Sequence, residues 1–144
     1  MEISATVRNG GGAHAVTVST DGRRSTLAVP PKPDGAGSAI NGGELLCLAL
    51  ATCYCNDLYR EAARRGISVR GVEVDVVSEF GGPGEPARRI RYAARVDADA
   101  TPAEIDALLR HTDTVAEVHN TLRAGIAVER RDASPATPTH PSPP

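Results

Sequence analysis

Between Leu45 and Tyr54 the chain reads LLCLALATCY, a run without a single charged side chain. It opens a longer segment, Glu44 to Gly66, that reads as one helix, with Arg64 and Arg65 in its last turn and a glycine to stop it. At ~1.5 Å per residue that helix is about 33 Å long, enough to cross a small domain. Its second half is amphipathic. Its first half is apolar on every side, which calls for burial from all directions. The chain has 144 residues, and aromatics make up 3% of them, namely Tyr54, Tyr59, Phe80 and Tyr92, so the core must be built from Val, Leu, Ile and Ala. Such a core covers an all-round apolar helix poorly, and a second copy of the chain is the expected cover.

The length fits a single domain. A net charge of -2 leaves no basic footprint for nucleic acid, and Lys32 is the only lysine among the cations. No apolar run approaches the ~18 residues of a membrane span, and no charged, then apolar, export signal opens the chain. A cytoplasmic protein with neither a nucleic-acid nor a membrane partner is expected.

Strand periodicity fills the first thirty residues: Ile3, Ala5 and Val7 alternate with polar residues, Val16 and Val18 repeat the pattern, and Leu27 and Val29 close it. The breaks fall at Asn9-Gly10-Gly11-Gly12 and at Asp21-Gly22, the latter a strong hairpin signal because glycine accepts the positive φ of a primed turn. Pro30 to Gly43, PPKPDGAGSAINGG, holds neither helix nor ladder and reads as an ordered or mobile loop. After the long helix, Ile67 and Val69 and then Val72, Val74 and Val76 form a strand whose inward phase slips at Arg70-Gly71, as a β-bulge would make it. A turn at Gly81 to Gly84 returns the chain through Ile90, Tyr92, Ala94 and Val96. Thr101-Pro102-Ala103-Glu104 is a capping box with proline at the first helical position, and Ile105, Leu108 and Leu109 give that helix its apolar face. A short segment from Glu117 to Arg123 leads to Gly125, and Ile126 to Val128 reads as a last strand. The order of elements is α+β. Residues 1–130 form one domain, and 131–144 are a Pro-rich tail expected to be disordered.

The three cysteines, Cys47, Cys53 and Cys55, are odd in number and bunched on one helix, unlike a secreted disulfide framework. On a helix Cys53 and Cys55 lie about 200° apart and Cys47 and Cys55 ~12 Å apart, so no pair can close a bridge without unwinding. Any one of these thiols most often serves as a small buried hydrophobe. Neither His111 nor His119 is tied to them by a ligand spacing, and neither a metal nor a cofactor is expected. Asp57, one turn after Cys53, raises that thiol's pKa if it shares the face. Asn56, Asp57 and Tyr59 either line a small polar pocket or belong to a solvated helix face.

Two blocks carry a family resemblance: NGGELLCLALATC, from Asn41 to Cys53, and VHNTLRAGIAV, from Val118 to Val128. Across roughly Ile3 to Arg130 the chain resembles the OsmC/Ohr family, the osmotically inducible protein C and organic hydroperoxide resistance proteins. The resemblance implies antiparallel sheets around a long buried central helix, in an intertwined homodimer. It also implies a thiol peroxidase of the oxidative stress response, in which a thiolate attacks a hydroperoxide and becomes a sulfenic acid that a second cysteine resolves. Cys53 matches the attacking position, while Cys47 and Cys55 match nothing and pack. The resemblance also implies an assisting arginine from the N-terminal strands, which no motif places; Arg8, Arg23 and Arg24 are all candidates. Gly43 stands where the family has its assisting glutamate, and Glu44 follows one position later, turned ~100° around the helix. Ala116-Glu117 replaces the family's Cys-Pro, so the resolving thiol is missing and an external thiol must reduce the product. The resemblance is compatible with two functions. One is a one-cysteine thiol peroxidase acting on organic hydroperoxides. The other is a non-catalytic dimeric module that keeps a pocket for a hydrophobic small molecule.

Overall fold

The structure is a computed structural model and describes residues 1–132. The expected tail falls almost wholly outside these described residues. Three strands, β1 (Ile3–Gly10), β2 (Ala13–Thr20) and β3 (Arg23–Thr26), form an antiparallel meander. Asp21 and Gly22 turn β2 into β3 with φ of 47° and 79°, the two positive values of a primed turn. The Asp21 carboxylate also accepts the Glu2 N–H at 2.7 Å, tying the turn to the start of β1. Register puts Ala5 opposite Val18 and Val7 opposite Val16, so one face is apolar. The other carries Ser4 opposite Ser19 and Thr6 opposite Thr17.

The Pro/Gly-rich segment that follows is ordered. Asn9 Nδ2 donates to the Gly35 carbonyl and Asn9 Oδ1 accepts the Gly37 N–H, each at 3.0 Å, and His14 pairs with the Ser38 hydroxyl at 3.1 Å. The segment delivers the chain to helix α1 (Gly42–Arg64), which starts two residues earlier than its apolar pattern suggests. The reason is a capping box. Asn41 Oδ1 accepts the Glu44 N–H at 2.9 Å while the Glu44 carboxylate accepts the Asn41 N–H at 2.7 Å, satisfying two otherwise unpaired donors.

Strands β4 (Val69–Phe80) and β5 (Ala87–Ala98) form a separate two-stranded antiparallel sheet, with the register slip between Val69 and Gly71 that the sequence pattern indicates. Helix α2 (Pro102–Val115) begins at the Thr101–Glu104 capping box and helix α3 (Glu117–Ala124) ends on Gly125 in the left-handed region. The core gathers Tyr54, Leu58, Ala62, Leu108 and Ala116, with Val72, Val74, Val96 and Leu109 packed around it.

Two expectations can be set against the structure. The all-round apolar half of α1 is not the buried half within one chain: apart from Leu50 and Tyr54, the buried residues are Asp57, Leu58, Glu61 and Ala62, and Leu48 is 53% exposed. A two-stranded hairpin covers one side of a helix only, and α2 and α3 reach its second half. The meander leaves the helix uncovered too, because it makes no extensive packing on the rest of the chain; Ile3 and Val7 are 67% and 57% exposed. Second, Ile126–Val128 is not a strand. It runs out from Gly125 with Val128 fully exposed, since β-branched side chains favour extended backbone but a ladder also needs a free edge beside it. No helix among the described residues is long and apolar enough to cross a membrane.

Leu58, with 0% exposure at the crossing of α1, α2 and β4, holds these elements together. Truncating it in Leu58→Ala is expected to cost about 2–5 kcal/mol, read as a lowered midpoint in chemical denaturation.

Candidate active site around Cys53

One helical stripe supplies most of the site. Cys53, Asp57, Arg60 and Glu61 recur on α1 at the three- and four-residue spacings that share a face. The rest comes from the junction of α2 and α3. Ala116 ends one helix and caps the other, its backbone extended at φ −71° and ψ 105°, and it is fully buried. That turn presents Glu117 and the Val118 N–H to the sulfur.

The thiol is flanked by two carboxylates. The Cys53 S–H lies 3.5 Å from Asp57 Oδ2 and 3.8 Å from Glu117 Oε2, and it can donate to either. Arg60 holds their outer oxygens, with Nη1 at 2.6 Å from Asp57 Oδ1 and 3.5 Å from Glu117 Oε1. The guanidinium continues through Nε to Glu61 Oε1 at 2.9 Å, and Glu61 is further held by Arg64 at 2.8 Å and His111 at 3.2 Å. Asp57 and Glu61 are thus buried carboxylates with cationic partners, the arrangement that offsets their loss of water.

Burial pushes the Cys53 thiol above its ordinary pKa; the Val118 N–H opposes this, and the charges of Asp57 and Glu117 add to it. Burial likewise raises Asp57, with the negative charge of Glu117 pushing the same way. Glu117 goes down, because its carboxylate accepts a backbone N–H at the start of α3 and faces Arg60. The site therefore rests as a neutral thiol beside an ionised, 67% exposed Glu117. Asp57 is no solvated surface residue: it is 3% exposed and faces the sulfur, whereas Asn56 and Tyr59 lie open.

The other expected residues lie elsewhere. Glu44 spends its carboxylate on the helix cap, ~13 Å along the axis from Cys53. A Cβ at Gly43, where the family pattern has glutamate, would meet the half-exposed Phe80 ring at 3.0 Å. Arg8 sits opposite Ala15 on the polar face of the meander, together with Arg24, while Arg23, opposite Thr20, shares the apolar face. Within one chain the structure brings none of these to Cys53. The three cysteines are free; Cys47 lies near Phe80 and Val76, and Cys55 lies near Val74. Among the described residues, Cys53, Asp57 and Glu117 are the one group whose donor atoms converge closely enough for a metal ion, all within 4.8 Å, although Arg60 already supplies a cation to both carboxylates. Arg60 and Glu61 could be found from helical spacing alone. Glu117 could not, being 64 positions from Cys53.

A family model described as OsmC-like protein matches residues 35–131. Solved structures with the same fold include an OsmC-like protein from Mycoplasma pneumoniae, at 19% identity and a TM-score of 0.65, covering 85% of this chain and 88% of that one. An organic hydroperoxide resistance protein from Legionella pneumophila matches at 23% identity and 0.52, covering 85% and 90%. Bacillus subtilis OhrB matches at 18% and 0.53, covering 85% and 91%. No curated protein matches the chain.

Because the neutral thiol is held by burial and two acids, alkylation of Cys53 by iodoacetamide is expected to reach half its maximum above the ~8.5 of a free cysteine. Asp57→Asn removes one negative neighbour and should move that midpoint down. Peptide-resolved mass spectrometry across a pH series would read both, and an unshifted wild-type midpoint would contradict the electrostatics.

Proposed function

Given that this chain belongs to the OsmC-like protein family, we propose that it is a one-cysteine redox protein that reduces organic hydroperoxides through Cys53, recycled by an external thiol. The observation that carries this reading is the setting of Cys53 beside proton-accepting carboxylates, an arginine held between them, and the Val118 N–H. Cys47 and Cys55 have no such surroundings among the described hydrogen bonds. The sulfur attacks the distal oxygen of ROOH and the O–O bond breaks, giving Cys53–SOH and ROH. One external thiol then forms a mixed disulfide with loss of water, and a second releases Cys53–SH and a small disulfide. Ala116 stands where the family pattern has its second cysteine, which is why the reductant must come from outside.

The working form in this proposal is a homodimer. The exposed apolar half of α1 and the open part of the meander's apolar face, Ile3 and Val7, are surfaces of one chain that only a further layer can cover. A second reading, a non-catalytic dimeric module for a hydrophobic small molecule, is favoured by the raised thiol, which is a weak nucleophile at neutral pH.

The two readings part under peroxide. Cumene hydroperoxide followed by intact mass measurement is expected to add one oxygen, or an adduct when a small thiol is present, and Cys53→Ser should abolish the change. A wild-type mass that never changes would select the binding module. In Ala116→Cys the product should become an intramolecular disulfide with Cys53. Light scattering is expected to give the mass of two chains; a stable folded monomer at micromolar concentration would sink the dimer.

A further inference from the structure

A neutral thiol attacking a peroxide has a proton to lose, and the departing alkoxide has one to gain. The geometry points to Glu117 as the group that carries it: we propose that the Glu117 carboxylate takes the Cys53 proton and hands it to the leaving oxygen. The inference rests on the hydroperoxide reading above and adds a catalytic residue to it.

Three observations single out Glu117. Its Oε2 is 3.8 Å from the sulfur, close enough for direct transfer once substrate draws the groups together. Its side chain is 67% exposed, so it flanks the route by which a peroxide reaches the half-buried thiol, whereas Asp57 at 4% lies behind it. Its outer oxygen is held by Arg60, the same guanidinium that grips Asp57, so the carboxylate is steered while Oε2 stays turned to the sulfur. Asp57 and Arg60 are positioning residues in this arrangement. The remaining titratable groups nearby, Arg64 and His111, each pair with Glu61 on the far side of Arg60 and do not contact the sulfur.

The step balances. The S–H bond breaks and its proton goes to Glu117 as the sulfur lone pair forms the S–O bond. The O–O bond breaks, the alkoxide recovers the proton from Glu117, and the products are the sulfenic acid and an alcohol. Sulfur is oxidised by two electrons, the peroxide is reduced by two, and the carboxylate is regenerated.

A neighbouring carboxylate also has a competing effect that makes the test sharp, because its charge suppresses thiolate formation. Glu117→Gln in the full-length protein removes both influences. Its side chain is 67% exposed, so the isosteric change opens no cavity in the core. Two rates are compared at pH 7: alkylation by iodoacetamide, whose iodide leaving group needs no proton, and oxidation by cumene hydroperoxide, with the sulfenic acid trapped and weighed. The proposal expects Glu117→Gln to alkylate as fast as wild type or faster, yet to oxidise on the order of a hundredfold more slowly. Glu117→Asp should recover part of the loss. If Glu117→Gln oxidises undiminished, in step with its alkylation, the carboxylate only restrains the thiol and the relay is overturned while hydroperoxide reduction stands. If wild-type protein alkylates but resists the hydroperoxide, the relay and the functional reading fall together.

Discussion

Helix α1 asks for more cover than its own chain provides, and the arrangement of everything else follows from how that demand is shared. The β4–β5 hairpin takes one side, α2 and α3 close over the second half, and Leu58 sits where they meet. Leu48 and its apolar neighbours on the first half face outward. The meander leaves Ile3 and Val7 of its own apolar face open as well, although Val16 on that face is buried, and it is tied mainly to the Pro/Gly-rich segment through Asn9 and His14. Both open surfaces are apolar, the property on which the proposed homodimer rests.

The covered half of the helix also carries the charged network around Cys53. Asp57 and Glu61 share its buried face with Leu58 and Ala62, and two buried carboxylates on one helical stripe demand cations. Arg60 serves Asp57, Glu61 and Glu117 at once, with Arg64 and His111 reinforcing Glu61. The thiol of Cys53 lies at the end of this network and feels its acids more than its arginine. A free-standing thiolate does not suit such a place, and the proposed relay answers this by moving the thiol proton only during reaction.

Nearby, His119 is buried between the rings of Tyr54 and Tyr92, at centroid distances of 5.4 and 4.6 Å. Burial holds its pKa down, and Tyr92 donates its hydroxyl proton to an Asp113 carboxylate that Arg123 also holds, at 2.6 Å. These rings anchor α3 against α1 and β5, and thereby fix the height at which Glu117 meets the sulfur.

Local chemistry made much of the fold legible in advance. Asp21-Gly22 demands a primed turn, Arg70-Gly71 shifts the strand phase, Thr101 and Glu104 cap each other, and Gly125 ends α3, because each is decided within a few residues. The strand read into Ile126–Val128 failed for the complementary reason: its pairing depends on an edge that its own residues do not contain. The same division runs through the site. The sequence by itself determined that Cys53, Asp57, Arg60 and Glu61 share one face of a helix, since 3.6 residues per turn leave no other choice. Only the tertiary structure decided that Glu117 stands at the sulfur and that Asp57 is buried rather than solvated. Those outcomes turn on which elements pack together, and packing is set by surfaces summed over the whole chain rather than by any neighbour in the sequence.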